Sequence, residues 1–175
     1  EDTNNLMNNK QLNELKNCTK LLSIITKKEI KASICNSSGI WLGKKYLLNI
    51  VRPGAAFLGI NPILNKSNPL KETISLYAQI SQIREVSKND TIGYGRTLTI
   101  KKENRIATIS IGYSNGLSRL LSNIGDVYIK KKKLKILGRV SMDLTVIDIS
   151  VFKDGEIKNG DIVEIFGPNR TLENF

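Results

Sequence analysis

Six residues, Gly138-Arg139-Val140-Ser141-Met142-Asp143, set a guanidinium, a carboxylate and glycine-freed backbone donors inside a stretch that otherwise reads as a buried strand. Two readings suit it alone: an Arg139/Asp143 ion pair closing a strand end, or a catalytic centre. Three upstream segments favour the second. Val51-Arg52-Pro53-Gly54, Ile92-Gly93-Tyr94-Gly95-Arg96-Thr97 and Ile109-Ser110-Ile111-Gly112-Tyr113-Ser114-Asn115-Gly116 each hold a polar or aromatic residue beside glycine at the end of an apolar run. Histidine is absent, which removes Ser/His and Cys/His nucleophiles and most zinc chemistry. Proton transfer in this chain falls to tyrosine, lysine or a carboxylate.

Those segments must be carried by regular elements. Leu12, Leu15, Leu22 and Ile25 recur at helical spacing and predict a helix from about Asn9 to Lys28, with Asn8 as cap and Gln11 as its N3 partner. A short strand, Ile30 to Cys35, then ends at Asn36-Ser37-Ser38-Gly39. Free backbone N–H groups and hydroxyls at such a place make a ready anion site, although Ser37 alone also reads as a helix N-cap. A second short strand, Leu47 to Val51, ends at Arg52-Pro53-Gly54. Helix, strand, loop, short helix, strand, loop is the pattern of the closing units of a (β/α)8 (TIM) barrel, where phosphate often binds after the last two strands.

Pro62 to Pro69 reads as a linker. Beyond Leu70 come short β-runs: Ile74 to Val86, Leu98 to Lys101, Ile106 to Ile111, Val127 to Ile129, Leu134 to Leu137, Leu144 to Ile149 and Ile162 to Ile165. Their turn signals include Ser114-Asn115-Gly116, Asp154-Gly155 and Asn159-Gly160-Asp161. The fold class expected is α/β plus β, with residues 1–69 the end of a (β/α)8 barrel and residues 70–175 a mostly β, barrel-like domain.

A chain of 175 residues with 40% hydrophobic content can bury a core as one domain or two small ones. Its 27 basic and 16 acidic residues leave a net charge of +11, a balance that raises nucleic acid or an acidic membrane as a partner. The excess is spread along the chain without interleaved aromatic residues, so neither is expected. The densest run, Lys130 to Lys133 with Lys135, lies between two β-runs and reads as a hairpin with solvated lysines. Cys18 and Cys35 carry no disulfide framework and no metal-ligand spacing. No apolar run reaches the roughly 18 residues that span a bilayer, and no signal peptide opens the chain. The chain opens on Glu1 and a polar stretch without a preceding strand, which reads as a fragment.

In this order and at this spacing, the four segments resemble the C-terminal half of alanine racemase, and the resemblance runs from about Cys35 to Phe175. It implies a barrel that holds pyridoxal phosphate (PLP), a C-terminal β-domain and a cytoplasmic head-to-tail homodimer with shared active sites. The implied activity is interconversion of L- and D-alanine for peptidoglycan synthesis. Two bases serve the two faces of the substrate Cα: a lysine that carries the cofactor, and a tyrosine from the other subunit. The tyrosine maps to Tyr94, with Gly93 and Gly95 leaving room for substrate. A phenol is a poor base at neutral pH unless positive charge nearby favours the phenolate; alone, Tyr94 also reads as a strand-end tyrosine packed over a turn.

By the same resemblance, Arg52 faces the cofactor's ring nitrogen, and a guanidinium that cannot give up its proton leaves that nitrogen unprotonated. Ser37 and the backbone N–H groups of Gly54 and Ala55 occupy the phosphate-binding positions. Met142 and Asp143 fall at the Met-Asp pair whose methionine N–H binds the substrate carboxylate, and Tyr113, Arg119 and Arg139 line the route to the site. The sequence departs from the family at Asn115, where an aspartate is usual, and at Leu58, where a tyrosine is common. The cofactor-lysine motif, a Lys-Ala-Asn-Ala-Tyr-Gly-like run, has no counterpart; Lys27-Lys28 and Lys44-Lys45-Tyr46 lack its context. Two other readings stand beside the racemase: a non-catalytic remnant or subunit without that lysine, or a racemase of another small amino acid such as serine.

Overall fold

The computed structural model describes residues 5–63 and 67–175. It divides at Ile74/Ser75 into two compact units. The middle of the Pro62 to Pro69 linker, residues 64–66, lies outside the described residues, as do residues 1–4 of the polar opening.

The first unit opens with helix α1, Leu6–Thr26. It starts earlier than the Asn9 expected, because Asn5 and not Asn8 is the cap: its side chain accepts the Met7 N–H at 2.9 Å. Of the expected apolar stripe, Leu12 is buried and Leu15 half-buried, while Leu22 and Ile25 are exposed. Leu12 packs with Cys35 and Tyr46 in a small core edged by Ile34, Ile40, Leu42 and Leu48. The Tyr46 hydroxyl and the Lys45 ammonium both donate to Asn9 Oδ1 at 2.7 Å, fixing the helix over that core.

The strands expected at 30–35 and 47–51 are not formed as strands. Both segments lie side by side, linked by Asn49 N–H to the Ala32 carbonyl at 3.3 Å and Arg52 N–H to the Cys35 carbonyl at 2.9 Å. The constant offset makes the pairing parallel, but two backbone bonds do not build a ladder. Leu48 explains why: its φ of +50° breaks the extended run. The Ala32 N–H is met instead by the Asn49 side chain at 3.0 Å. Between the two segments stand short 3-10 turns at Gly39–Leu42 and Lys44–Tyr46, and a third follows at Ala55–Leu58.

The second unit is a closed barrel. Its strands are β1 (Leu76–Val86), β4 (Asn104–Ile109), β5 (Asp126–Ile129), β6 (Lys132–Leu137), β7 (Thr145–Asp148) and β8 (Ile162–Phe166), in the order β1-β4-β7-β6-β5-β8. Every pairing is antiparallel, which agrees with the barrel-like β-domain expected. β1 is the longest because it pairs β8 along its first half and β4 along its second, across an irregularity between Ile80 and Gln82. Alternate residues point inward, and Ile80, Ile109, Val127, Leu134, Ile136, Ile147, Val163 and Ile165 fill the core. Each such side chain contributes roughly 1.5–3 kcal/mol of burial.

A two-stranded ribbon, β2 (Thr91–Ile92) with β3 (Leu98–Thr99), carries the Tyr94 segment. It is anchored to the barrel by a second cluster, Val86, Ile92, Ile100 and Ile106. The lysine run forms the β5–β6 hairpin expected. Lys130 and Lys131 occupy its two-residue turn, both at positive φ, as a right-twisted hairpin demands. The remaining lysines are less free than solvated charges: Lys132 stands 4.5 Å from the Phe152 ring centroid, and Lys133 and Lys135 pair with Asp126 at 2.8 and 2.7 Å. Among the described residues, no helix is long and apolar enough to cross a membrane, and no group of His, Cys, Asp and Glu could hold a metal ion.

Candidate functional site

In the first unit the loops after the two parallel segments meet at Ser37, which is 6% exposed. Its Oγ accepts the N–H of Gly54 at 2.8 Å and of Ala56 at 3.1 Å. The backbone donors that converge are therefore those of Gly54 and Ala56; the Ala55 N–H, one residue between, makes no bond to this hydroxyl. With its lone pairs occupied, Ser37 has its own proton to give, and no described residue accepts it. Space beside it is open, for a β-carbon on Gly54 would meet only Ser37 Oγ, at 4.0 Å.

Arg52 stands at the edge of a cleft of about 220 Å³ that also includes Cys35, Asn36, Gly39 and Tyr46. Its Nη1 donates to Ser33 Oγ, and Asn36 Oδ1 accepts the Gly39 N–H at 2.9 Å. Burial pushes the Cys35 thiol up from its ordinary value, and the Arg52 guanidinium offsets that only in part. Cys35 is thus a protonated core thiol that donates to the Tyr46 carbonyl, and not a nucleophile. A buried hydroxyl whose proton has no acceptor among the described residues, with open space beside it, suits an oxyanion such as a phosphate, and so fits the phosphate end of PLP. The lysine that would carry PLP is not among these residues.

In the second unit the chemistry-bearing segments all leave one end of the barrel. β4 and β6 finish where their antiparallel neighbour β7 begins, so the loops after Ile109 and Leu137 and before Thr145 share that end. Main chain packs directly on main chain there. A β-carbon on Gly93 would lie 2.8 Å from the Arg139 nitrogen, one on Gly138 would lie 2.8 Å from the Ile92 carbonyl oxygen, and one on Gly112 would lie 2.3 Å from the Met142 carbonyl oxygen. Only glycine permits these approaches. They press the Tyr94 turn and the Tyr113 turn against opposite ends of the 138–143 segment.

Within this frame the Tyr94 side chain is 73% exposed. The Arg139 guanidinium carbon lies 3.6 Å from where a β-carbon on Gly95 would stand, so its charge is beside the Tyr94 turn. Tyr113 N–H donates to the Ser141 carbonyl at 3.0 Å and Ser114 N–H to the Met142 carbonyl at 2.9 Å. The Ser114 hydroxyl donates to Asp143 Oδ1 at 2.6 Å, and Arg119 lies 5.5 Å from the Tyr113 ring centroid. Asp143 is thus bound to Ser114, and among the described residues it forms no ion pair with Arg139. The Met142 backbone N–H has no acceptor among the described residues.

Tyr94, Tyr113, Arg119, Arg139, Met142 and Asp143 are therefore brought to one end of one unit, while Ser37, Arg52, Gly54 and Ala55 are gathered in the other. Three supporting residues lie outside the four motifs: Thr145, whose buried hydroxyl donates to the Ile111 carbonyl at 2.7 Å, and Ser122 and Asn123. A Ser-Asn pair just before Gly125 is a turn signal that could have drawn notice to the last two.

Known proteins share this arrangement of sequence and fold. Residues 73–175 match the family model described as alanine racemase, C-terminal domain. The chain is 42% identical to the alanine racemase of Rickettsia bellii, over 98% of this chain and 41% of that protein. It is 36% identical to the alanine racemase of Brucella abortus, over 99% and 46%. A solved alanine racemase from Bartonella henselae, with covalently bound pyridoxal phosphate, is similar at TM-score 0.73 and 36% identity, over 99% of this chain and 46% of that one. The chain spans less than half the length of these relatives. The family model covers the whole barrel unit, from the start of β1 to Phe175, and with it the Tyr94, Tyr113 and Met142 segments: the chain belongs to the alanine racemase family.

Proposed function

We propose that this chain serves as the C-terminal portion of a PLP-dependent alanine racemase, interconverting L- and D-alanine in the cytoplasm for peptidoglycan synthesis. Tyr94 is its base. The observation that carries this reading is the state of that side chain: a tyrosine packed over a turn for stability would be covered, yet Tyr94 is 73% exposed on a turn held rigidly by the Gly93–Arg139 contact. An uncovered phenol on a turn packed against other main chain is placed to act on something outside its own unit.

The first unit, with its two parallel segments and intervening turns, is read as the end of a (β/α)8 barrel. Ser37 and the Gly54 and Ala55 backbone would hold the phosphate of PLP, and Arg52 its ring nitrogen. When bound, PLP supplies delocalisation of negative charge from the substrate Cα. This chain's other groups handle substrate and proton. The Met142 N–H, free to donate, binds the alanine carboxylate. Arg139 and Arg119 supply positive potential that draws that carboxylate in. Tyr94 Oη takes the Cα proton from one face or returns it there, on a turn that has the Arg139 guanidinium beside Gly95. In a homodimer with shared sites, Tyr94 and Met142 of one subunit face the cofactor lysine of the other.

The test is Tyr94→Phe in the complete, cofactor-loaded enzyme. Racemisation should fall in both directions by about 100-fold or more, the contribution usual for a positioned acid–base group, while the visible absorbance of bound PLP stays. An unchanged rate sinks the assignment.

A further inference from the structure

Two side chains outside the four motifs tie the arms of the barrel-end site together. Ser122 and Asn123 follow the 3-10 turn Arg119–Leu121 and precede β5. Asn123 has φ +64°, a left-handed conformation that asparagine tolerates better than most residues. From there its amide reaches two other segments. Its Oδ1 accepts the Gly138 N–H at 2.7 Å, and its Nδ2 donates to Thr97 Oγ1 at 3.4 Å. The Ser122 hydroxyl accepts the Val140 N–H at 3.0 Å and donates to the Arg119 carbonyl at 2.6 Å.

The backbone donors on both sides of Arg139 are thus taken by one dipeptide. Thr97 closes the Tyr94 turn, and Arg119 stands over Tyr113. Ser122 and Asn123 belong to no strand of the barrel, and the β5–β6 ladder is completed without them through Ile136 N–H to the Gly125 carbonyl at 2.9 Å. Their bonds go instead to the segments that present Arg139, Tyr94 and Arg119.

We infer that Asn123, assisted by Ser122, is a positioning residue that sets where the Arg139 guanidinium stands relative to the Tyr94 phenol. The inference rests on the racemase reading of Tyr94 and Arg139. Asn123 acts through Gly138: the 138–139 main chain is wedged against Ile92 and Gly93, and the guanidinium it carries lies over Gly95. A small slip of that main chain is therefore passed to the residues on either side of Tyr94. Misplacement on the ångström scale is enough to cost an enzyme orders of magnitude in rate.

The test uses the complete, cofactor-loaded enzyme and begins with Asn123→Gly, which keeps the left-handed backbone and removes the amide. We expect kcat to fall about tenfold with KM for alanine changed far less, cofactor absorbance intact and the melting temperature within about 3 °C of wild type. Asn123→Asp keeps the acceptor for Gly138 and should recover most of the lost rate. Added to Arg139→Ala, Asn123→Gly should cost nothing further, because both act through one group. Amide hydrogen exchange at Gly138 should quicken about tenfold in Asn123→Gly, as a lost hydrogen bond allows, and this readout does not depend on racemisation. Wild-type kcat in Asn123→Gly, a loss that adds to that of Arg139→Ala, or a loss that Asn123→Asp does not rescue overturns the inference. A complete wild-type enzyme that fails to racemise alanine removes the functional reading and this role with it, while exchange at Gly138 still reports whether the bond is made.

Discussion

Gly93 and Arg139 meet through main chain: a β-carbon on Gly93 would stand 2.8 Å from the Arg139 nitrogen. Two of the site's motifs, far apart in sequence, therefore pack main chain on main chain, and the Asn123 and Ser122 side chains bond the same 138–140 segment. The contact also explains why Tyr94 needs a glycine before it, since Gly93 has φ +76° as well as no room. Gly155 is the natural control, with φ +75° and nothing within 4 Å of its β-carbon position.

Gly155→Ala should therefore cost only the left-handed backbone penalty, about 1 kcal/mol. Gly93→Ala adds a clash with backbone that no rotamer can relieve and should cost about 2–4 kcal/mol. Urea unfolding followed by far-ultraviolet circular dichroism measures both. Equal losses would mean that the Gly93–Arg139 contact yields without strain.

Much of the barrel was legible in sequence because its core side chains alternate and its hairpin is marked by charge. The runs at 127–129 and 134–137 formed β5 and β6 because Val127, Ile129, Leu134 and Ile136 point inward on a two-residue turn. Legibility failed where one backbone angle or one side chain outweighed the pattern. Leu48, apolar inside an apolar run, gives no sign that it will take φ +50° and end a strand. The helix start is ambiguous in sequence because Asn5, Asn8 and Asn9 all qualify as caps, and only geometry shows that Asn5 reaches Met7. At the site, the glycines marked the close approaches, but Ser114, Ser122 and Asn123 act across long sequence gaps that no local spacing encodes.

Ser114 carries the second prediction. Three bonds run from Tyr113 and Ser114 to the carbonyls of Ser141 and Met142 and the carboxylate of Asp143, and only the last depends on a side chain. Ser114→Ala should leave the loop in place and free the Asp143 carboxylate to turn toward the unpaired Met142 N–H. A free carboxylate there repels the carboxylate of a substrate. In the complete enzyme, KM for alanine should rise about three- to tenfold, the usual worth of a charge-assisted hydrogen bond, with kcat nearly unchanged. Steady-state kinetics in both directions decides it; an unaltered KM means that Asp143 does not govern access to that N–H.

The third prediction concerns pH and lies away from the site, on the β5–β6 hairpin. Burial alone would push the Asp126 carboxyl up, but hydrogen bonds and charge from Lys133 and Lys135 outweigh it and hold the group below its ordinary value. The hydrogen bond and charge of Asp126 in turn push Lys133 up. A depressed carboxyl stabilises the fold above its unfolded value, near 3.8, and that contribution is lost as pH falls through the lower folded value. A raised lysine stabilises the fold below its own unfolded value, 10.5, and that contribution is lost only as pH climbs through the higher folded one. The pair is therefore complete across neutral pH and fails at both extremes. Asp126→Asn should lower the urea midpoint of the 175-residue chain at pH 7, by a small amount because both lysine ends are more than half exposed and screened by solvent. At pH 3 the gap between variant and wild type should narrow, and added salt at pH 7 should narrow it too. A gap that stays constant from pH 7 to pH 3 would show that Asp126 stabilises the hairpin by packing and not by its charge.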